Sequence, residues 1–206
     1  AEMLAANNKQ PPISIRINTM KTNVENSNDL MSQLLKEEKI KSDRRPLRSA
    51  ITLKSTPLFS QDSMFGRGLY TVQDEASQLI GYIVDPKEGE TVVDACAGSG
   101  GKLSHLFELS EGKADLTGID PDPAAMKRGQ ETLARLGHEG VKWETTDFLD
   151  WKPSKAPNKI LLDAPCSGLG VLRRHPEGKW HKDLATIHRM QSLQRRQLSC
   201  YYFFNR

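Results

Sequence analysis

The chain has 206 residues, 37% hydrophobic and 27% charged, and a formal net charge of +3. That length fits one domain and a smaller second one, with neither a signal peptide nor an apolar run near the ~18 residues of a membrane span. Its three cysteines lack C-x-x-C spacing, which disfavours a zinc site or a disulfide framework, and free thiols suit a reducing cytoplasm.

The N-terminal part of the chain, residues 1–68, is predicted to form a small α/β module. Ile13–Asn18 alternates apolar and polar residues, as a half-buried strand does, and Ser49–Leu53 is a possible second strand. Between them, a helix with one apolar face is predicted over about residues 28–39. The second domain is then expected to cover residues 69–206.

The second domain is predicted to begin with a helix from about Asp74 to Val84. We expect its apolar side chains to face inward: Ala76, Leu79, Ile80 and Ile83. Four strands of a parallel sheet follow, at Thr91–Asp94, Leu116–Ile119, Val141–Thr145 and Lys159–Leu162. Helices are predicted at Gly101–Leu109, at Pro123–Leu136 between Asp122 and Gly137, and at Lys182–Leu198, while Tyr201–Phe204 could open a further strand.

An acid stands at or near the carboxyl end of each of these four strands: Asp94, Asp120, Asp147 and Asp163. In open α/β sheets ligands bind at this edge, so we expect the acids to share one site. A loop of small residues joins the first strand to its helix: Cys96, Ala97, Gly98, Ser99, Gly100, Gly101 and Lys102. Its glycines let the backbone approach a ligand closely.

The loop lacks the glycine motifs that bind the phosphates of nucleotides, and this absence narrows the kind of ligand that we predict. It has neither the G-x-G-x-x-G of a dinucleotide site nor the G-x-x-x-x-G-K-[ST] of a triphosphate loop. Acidic strand ends favour a cation without phosphate, such as the sulfonium of S-adenosylmethionine. We expect that cofactor across the loop, with Asp120 on its ribose and Asp147 near its adenine. No bound metal is expected.

The segment Asp163-Ala164-Pro165-Cys166 follows the fourth strand and could bind a pyrimidine ring. The acid can bond to the nitrogen edge of the ring, and the proline fixes the turn. The thiol can add to an electron-poor carbon or assist release from it. A lone cysteine is usually a buried small hydrophobe, so the turn gains meaning only beside the other acids.

Positive charge is concentrated at the C-terminal end. Residues 165–206 hold eight Lys and Arg against two Asp and Glu, whereas residues 69–164 hold ten against seventeen. This distribution is typical of a nucleic-acid enzyme with a cationic cofactor. The residues predicted to contact RNA lie just after the Cys166 turn: Arg173, Arg174, His175 and Lys179.

In combination these motifs resemble the Sun/RsmB-type RNA cytosine-C5 methyltransferases. The matching segments are Pro11–Asn18, Gln73–Ser77, Asp94–Lys102, Asp120, Asp147 and Asp163–Trp180. The resemblance implies a Rossmann-like, S-adenosylmethionine-dependent methyltransferase sheet behind a small RRM-like RNA-binding module. It further implies an RNA substrate, which we expect to be ribosomal RNA, and we expect a monomer.

One departure from that family concerns catalysis. The chain ends at Arg206, before the family's Thr-Cys motif, whose cysteine is the usual nucleophile, so we expect the C-terminal strands to be missing and this chain to be inactive as written. Chemistry alone would make Cys166 the nucleophile, as in DNA cytosine-C5 methyltransferases, whereas the resemblance assigns Cys166 to product release. A catalytically inactive RNA-binding fragment is the third alternative.

Overall fold

A computed structural model of the protein describes residues 8, 11–22, 43–44, 50–53 and 63–204. These residues form two four-stranded sheets, one antiparallel and one parallel. The helix predicted over about residues 28–39 lies outside the described residues. No helix within the described ranges is long and apolar enough to cross a membrane.

The first sheet has the strand order β2-β3-β1-β4, and its pairs are antiparallel. Its elements are β1 (Ile13–Ile17), β2 (Asp43–Arg44), β3 (Ala50–Leu53), the single helical turn α1 (Ser63–Gly66) and β4 (Tyr70–Val72). One face packs around Ile15, Ile17, Ile51, Leu53, Met64 and Tyr70. The domain boundary after residue 68 stays a prediction; by its pairing with β1, the strand Tyr70–Val72 belongs to the first sheet.

The prediction that β1 is half-buried was wrong. Its polar residues Ser14 and Arg16 are buried as well, at 7% and 0% exposure. The reason is tertiary: the second sheet's first two helices cover that face, and Arg16 bonds to one of them. Alternation in a sequence cannot show that a polar face will be covered.

The second sheet is parallel, with the strand order β7-β6-β5-β8. Its elements, in chain order, are α2 (Glu75–Val84), β5 (Thr91–Asp94), α3 (Gly101–Leu109), β6 (Asp115–Ile119), α4 (Pro123–Leu136), β7 (Lys142–Glu144), β8 (Lys159–Leu161) and α5 (Leu184–Phe204). The four predicted strands and the intervening helices are therefore confirmed. Tyr201–Phe204 continues α5 and opens no strand, which corrects that expectation.

Local capping signals explain why α4 was predicted to the residue. The Asp122 side chain accepts a hydrogen bond from the Ala124 N–H, and Pro123 fills the first turn, where an amide donor is not needed. Gly137 ends the helix in a left-handed conformation, with φ of 78°. Each of these signals depends only on neighbouring residues.

The predicted inward face of α2 was mostly wrong, although Ile80 does pack against the core. Leu79 and Ile83 are 48% and 77% exposed, whereas Gln78 and Gly81 are buried. Helix α3 packs against Gly81 so closely that a Cβ there would lie 2.4 Å from Nδ1 of His105. Gln78 donates to the backbone carbonyls of β1 and of the residue after β4. The contact is set by a small and a polar residue, so hydrophobic periodicity misplaced it.

Trp143 on β7 packs into a slot between three glycines. A Cβ at Gly100, Gly118 or Gly129 would lie 3.1, 3.1 or 2.4 Å from an atom of its indole. At Gly118, the residue before the last of β6, the added Cβ would also lie 2.6 Å from Cδ2 of Leu103. These glycines are therefore required by close packing around one large side chain.

We expect Gly118→Ala to lower the free energy of unfolding by about 1–3 kcal/mol, because overpacking forces neighbouring side chains out of their rotamers. Urea denaturation measures the change. Gly170→Ala is the matched control, since a Cβ there meets nothing within 4 Å. If both variants were as stable as the parent chain, the tight packing around Gly118 would be contradicted.

Candidate functional site

The carboxyl ends of β5 and β8 open into a cleft of about 250 Å³. The residues that line it are Gln73, Ser77, Asp94, Cys96, Ala97, Gly98, Ser99, Gly101, Lys102 and Asp163. Most of the predicted cofactor loop therefore lies together with Asp163, as the strand order requires. Gly100, Asp120 and Asp147 are not among these lining residues.

Asp120, at the end of β6, holds the shape of the loop. Its Oδ2 accepts a hydrogen bond of 2.8 Å from the Gly98 N–H, and its Oδ1 accepts one of 2.9 Å from the Asp122 N–H. Gly98 and Gly100 have φ values of 52° and 75°, a conformation that glycine adopts without strain. A carboxylate oxygen can accept more than one bond, so the ribose contact of Asp120 stays a prediction.

Asp147 follows β7 and stabilises its own turn. Its Oδ1 accepts a hydrogen bond of 2.9 Å from the Leu149 N–H, and its backbone oxygen accepts one from Asp150. This is the helix-cap or turn role that any single strand-end acid is expected to have. The predicted contact of Asp147 with adenine stays a prediction.

Asp94 is a buried carboxyl group at the centre of the site, with 1% exposure. Burial raises its pKa to about 7, and the neighbouring carboxylates Asp163 and Asp120 act in the same direction. Lys102 and a weak hydrogen bond from the Cys96 N–H oppose the shift. Near neutral pH this group therefore changes between a neutral acid and a carboxylate at the floor of the cleft.

An ion pair joins the two sides of the cleft. Nζ of Lys102, at the start of α3, lies 2.5 Å from Oδ2 of Asp163, which follows β8. The Asp163 side chain is 55% exposed, so part of it remains open to an incoming group. The pair places a carboxylate and an ammonium side by side at the mouth of the cleft, where they can bind the polar edge of a ring.

Cys96 lines the cleft, whereas Cys166 follows Asp163 by three residues and is not among the lining residues. Cys166 is exposed, and its Sγ accepts a hydrogen bond of 3.4 Å from the Gly168 N–H. Burial raises the pKa of Cys96 to about 12, so that thiol stays protonated and is a poor nucleophile. Cys200 packs against the core cluster that includes Phe148. In the described part of the chain no group of side chains is arranged to hold a metal ion.

Helix α5 fixes both loops of the site. Nε2 of Gln194 donates a hydrogen bond of 2.8 Å to the backbone oxygen of Pro165, next to Cys166. One turn later, Nε2 of Gln197 lies 3.7 Å from Sγ of Cys96. A helix predicted only as basic therefore also orients the cofactor loop and the cysteine turn.

The residues predicted to contact RNA share an exposed segment after the cysteine turn. Arg174 forms an ion pair with Asp74, the N-cap of α2. Nζ of Lys179 donates a hydrogen bond of 3.0 Å to Oδ1 of Asn8. Nδ1 of His175 lies 3.3 Å from the Glu177 carboxylate. The Arg174 ion pair holds the segment against the start of α2, and the Lys179 bond joins it to Asn8 near the N-terminus. Arg173 is exposed next to them.

Sequence reasoning did not assign Gln73 or Ser77 to the site, although both line the cleft. Gln73 precedes α2, and Ser77 lies in its first turn. Nε2 of Gln73 donates a hydrogen bond of 3.1 Å to the Gly101 carbonyl. The available signal was the Gln73–Ser77 motif of the family resemblance. It did not show where the segment would lie, because that depends on packing between the two sheets.

Two family models match the chain. One, for 16S rRNA methyltransferase RsmB/F, matches residues 81–203, and the other, for the ferredoxin-like domain of RsmF/B-like methyltransferases, matches residues 1–58. Ribosomal RNA small subunit methyltransferase B of Pasteurella multocida is 33% identical over 204 residues, which is 96% of this chain and 45% of that protein. The protein of the same name in Pectobacterium carotovorum is 34% identical over 94% of this chain and 44% of its own length. The chain thus spans less than half of these relatives.

Solved structures give the same picture. PH0851 is 34% identical, with a TM-score of 0.89 over 96% of this chain and 45% of its own. A methyltransferase homolog from Pyrococcus horikoshii is 30% identical, with a TM-score of 0.80 over 95% of this chain and 61% of its own. NSun6 from Pyrococcus horikoshii with SFG is 20% identical, with a TM-score of 0.83 over 97% of this chain and 74% of its own, a likeness of fold alone.

The buried carboxyl of Asp94 generates a prediction about pH. Because its folded pKa of about 7 exceeds the ordinary 3.8, its contribution to stability is present below about pH 4 and is lost as pH rises through 7. Asp94→Asn lacks this ionisable group. As pH rises from 4 to 8, its unfolding free energy relative to that of the parent chain should therefore increase by up to about 4 kcal/mol. Urea unfolding at a series of pH values measures this difference.

Asp115→Asn is the control, since Asp115 is an exposed acid on the neighbouring strand. Its stability difference from the parent chain should change little over the same pH range. A pH-independent difference for Asp94→Asn would show that its carboxyl is ionised throughout, and would contradict the shift.

Proposed function

The chain belongs to the RsmB/F family of 16S rRNA methyltransferases, and from this membership we propose that it binds S-adenosylmethionine and serves methyl transfer to carbon 5 of a cytosine in RNA. The observation that carries the proposal is the shared cleft. The glycine loop and Asp163, three residues before Cys166, line one space at the carboxyl edge of the sheet. A cofactor and a target base need to meet at such a place.

The lining residues fit this cofactor by their chemistry. The segment Cys96–Gly101 carries only small side chains, so a ligand can approach its backbone closely, and the acids around it suit a cation. Among the lining residues Lys102 faces two acids, Asp94 and Asp163, so the cleft offers no net positive charge to a phosphate. When bound, S-adenosylmethionine supplies a methyl group on a positively charged sulfur. We assign Cys96–Lys102, Asp120, Asp147 and Asp163 to holding it.

Asp163 and Cys166 are assigned to the target base. Asp163 would bind the ring at nitrogen 3 and, with Lys102 beside it, stabilise charge that develops on the ring. In the chemistry of this family, a thiolate that adds to carbon 6 makes carbon 5 nucleophilic, and loss of the carbon-5 proton later lets the thiolate leave. We propose that Cys166, exposed at the turn, assists that release. Its place three residues after Asp163, which lines the cleft, supports the assignment.

The substrate class follows from the surface beside the cleft. Arg173, Arg174, His175 and Lys179 stand on one exposed segment, and Trp180 next to them is 84% exposed. Cationic side chains with an exposed aromatic ring are suited to single-stranded nucleic acid, whose phosphates and unstacked bases are both accessible. Together with family membership, this surface supports RNA, and ribosomal RNA first.

A methyl-transfer assay tests the catalytic roles. Labelled methyl transfer to unmodified 16S rRNA, and to a cytosine-containing DNA duplex, is measured for this chain and for its gene's full reading frame. The 206 residues contain no Thr-Cys pair. We therefore expect this chain to bind S-adenosylhomocysteine without turnover, because Cys166 is not the nucleophile.

Cys166→Ser variants of both proteins distinguish a nucleophilic role of Cys166 from a role in product release. Turnover by the 206-residue chain that disappears in Cys166→Ser would make Cys166 the nucleophile, and transfer to DNA alone would favour a DNA enzyme. In the full reading frame, Cys166→Ser should still bind RNA but release it slowly. If neither protein bound S-adenosylhomocysteine by calorimetry, the proposed function would be wrong.

Salt dependence tests the RNA surface. If Arg173 and Arg174 both contact phosphates, replacing the two by Ala should reduce the slope of log affinity against log salt by about 1.4 for single-stranded RNA. The control is Lys87→Ala with Lys113→Ala, which removes the same charge at the opposite edge of the sheet. Equal slopes in the two double variants would show that the two arginines make no phosphate contact beyond that of any other surface charge.

A further inference from the structure

Arg16 is a charged side chain that crosses from one sheet to the other. It belongs to β1 of the first sheet, yet its guanidinium lies against α3 of the second, and the side chain is 0% exposed. All five of its N–H donors have partners. Two go to the Glu108 carboxylate at 2.9 and 3.1 Å, one to Oγ of Ser104 at 2.8 Å, one to the Gly101 carbonyl at 3.1 Å, and one to Oε1 of Gln73.

The Gly101 carbonyl is the point where this network reaches the cleft. Gly101 is the first residue of α3 and lines the cleft. Besides the Arg16 bond, its oxygen accepts hydrogen bonds of 3.1 Å from Nε2 of Gln73 and 2.9 Å from Oγ of Ser104. Three side-chain donors therefore converge on one backbone oxygen of the cofactor loop.

Outside contacts add to the loop's own backbone bond, which runs from the Gly100 N–H to the Ala97 carbonyl. Gly98, Gly100 and Gly101 carry no side chains, and glycine is the residue with most backbone freedom to lose. Asp120 fixes the loop from the β6 side through Gly98. Arg16 and Gln73 fix its other end, from the side of the first sheet. The loop is thus held between two anchors that come from different sheets.

A guanidinium is suited to this task in a way that other side chains are not. Burying an ion pair is costly, and apolar residues of similar volume would usually give equal or greater stability. What apolar residues cannot do is direct hydrogen bonds at a chosen carbonyl. Lysine keeps the charge but has no planar fork, so it cannot serve Glu108 and the Gly101 carbonyl together.

We propose that Arg16 is a positioning residue for the cofactor loop: through the Gly101 carbonyl, the first sheet sets the loop geometry that binds S-adenosylmethionine. This inference rests on the proposed function, since it assumes that the loop binds that cofactor. It goes further by giving β1 a role in cofactor binding, beyond any contact of its own sheet with RNA.

The experiment measures the affinity for S-adenosylhomocysteine by calorimetry and, separately, the unfolding free energy in urea. Arg16→Met alone would leave the Glu108 carboxylate buried and unpaired, so it is combined with Glu108→Leu to keep the interface packed. We expect this double variant to fold and to bind about tenfold or more weakly. Arg16→Lys, which retains the charge, should not restore the affinity.

Asn18→Ala is the matched control. Asn18 is also 0% exposed and also joins the two sheets, donating 2.9 Å hydrogen bonds to the carbonyls of Gly68 and Leu136, far from the loop. It should lose stability while binding within about twofold of the parent chain. Asp120→Ala, which frees the loop at its other anchor, should weaken binding as the Arg16 variants do.

Binding by Arg16→Met/Glu108→Leu within twofold of the parent chain would overturn the proposal, as would full recovery in Arg16→Lys. If the double variant does not fold, Ser104→Ala decides instead, because it removes one donor to Gly101 and leaves the Arg16–Glu108 pair intact. About threefold weaker binding is expected, and unchanged binding would overturn the proposal. A parent chain that binds no S-adenosylhomocysteine would instead reject the proposed function.

Discussion

Strand β5 is hydrogen-bonded to a parallel strand on each side, with Asp94 opposite Gly118 on β6 and opposite Leu161 on β8. Because the three strands end in register, the segments that follow them emerge at the same edge of the sheet. The glycine loop, Asp120 and Asp163 come together for that reason alone. A slip of one residue would turn each side chain to the opposite face and separate the groups.

Directed polar bonds join the two sheets. Arg16, Asn18, Lys21 and Arg135 each donate across the junction, and most of their acceptors are backbone carbonyls. Burial raises the pKa of Glu108, and the Arg16 guanidinium opposes that shift, so the central acid depends on its partner. Apolar surfaces can slide against each other, whereas bonds to fixed carbonyls define one orientation.

Features set by neighbouring residues could be predicted from the sequence, and features set by distant contacts could not. The ends of α4 followed from Asp122 and Gly137, and the strands of the second sheet from their apolar runs. The buried face of α2 was misjudged because Gly81 makes room for His105, a contact outside any periodicity.

The site shows the same division. The positions of the loop and Asp163 after predicted parallel strands were enough to predict that they share a cleft, because the carboxyl ends of such strands meet at one edge of the sheet. It could not show that Asp120 turns toward the Gly98 amide, or that Gln73 reaches the loop from between the sheets. Those positions depend on side-chain geometry across segments far apart in the chain.

The slot around Trp143 limits how this protein can diverge. Three glycines on the cofactor loop, β6 and α4 leave room for one indole, so a larger residue at any of them displaces that indole unless the tryptophan has first become smaller. The order of substitutions then matters, because the reverse order passes through an overpacked intermediate. Substitution of the tryptophan should therefore precede substitution of the glycines, and one of these glycines belongs to the loop at the cleft, so variation deep in the sheet is coupled to the site.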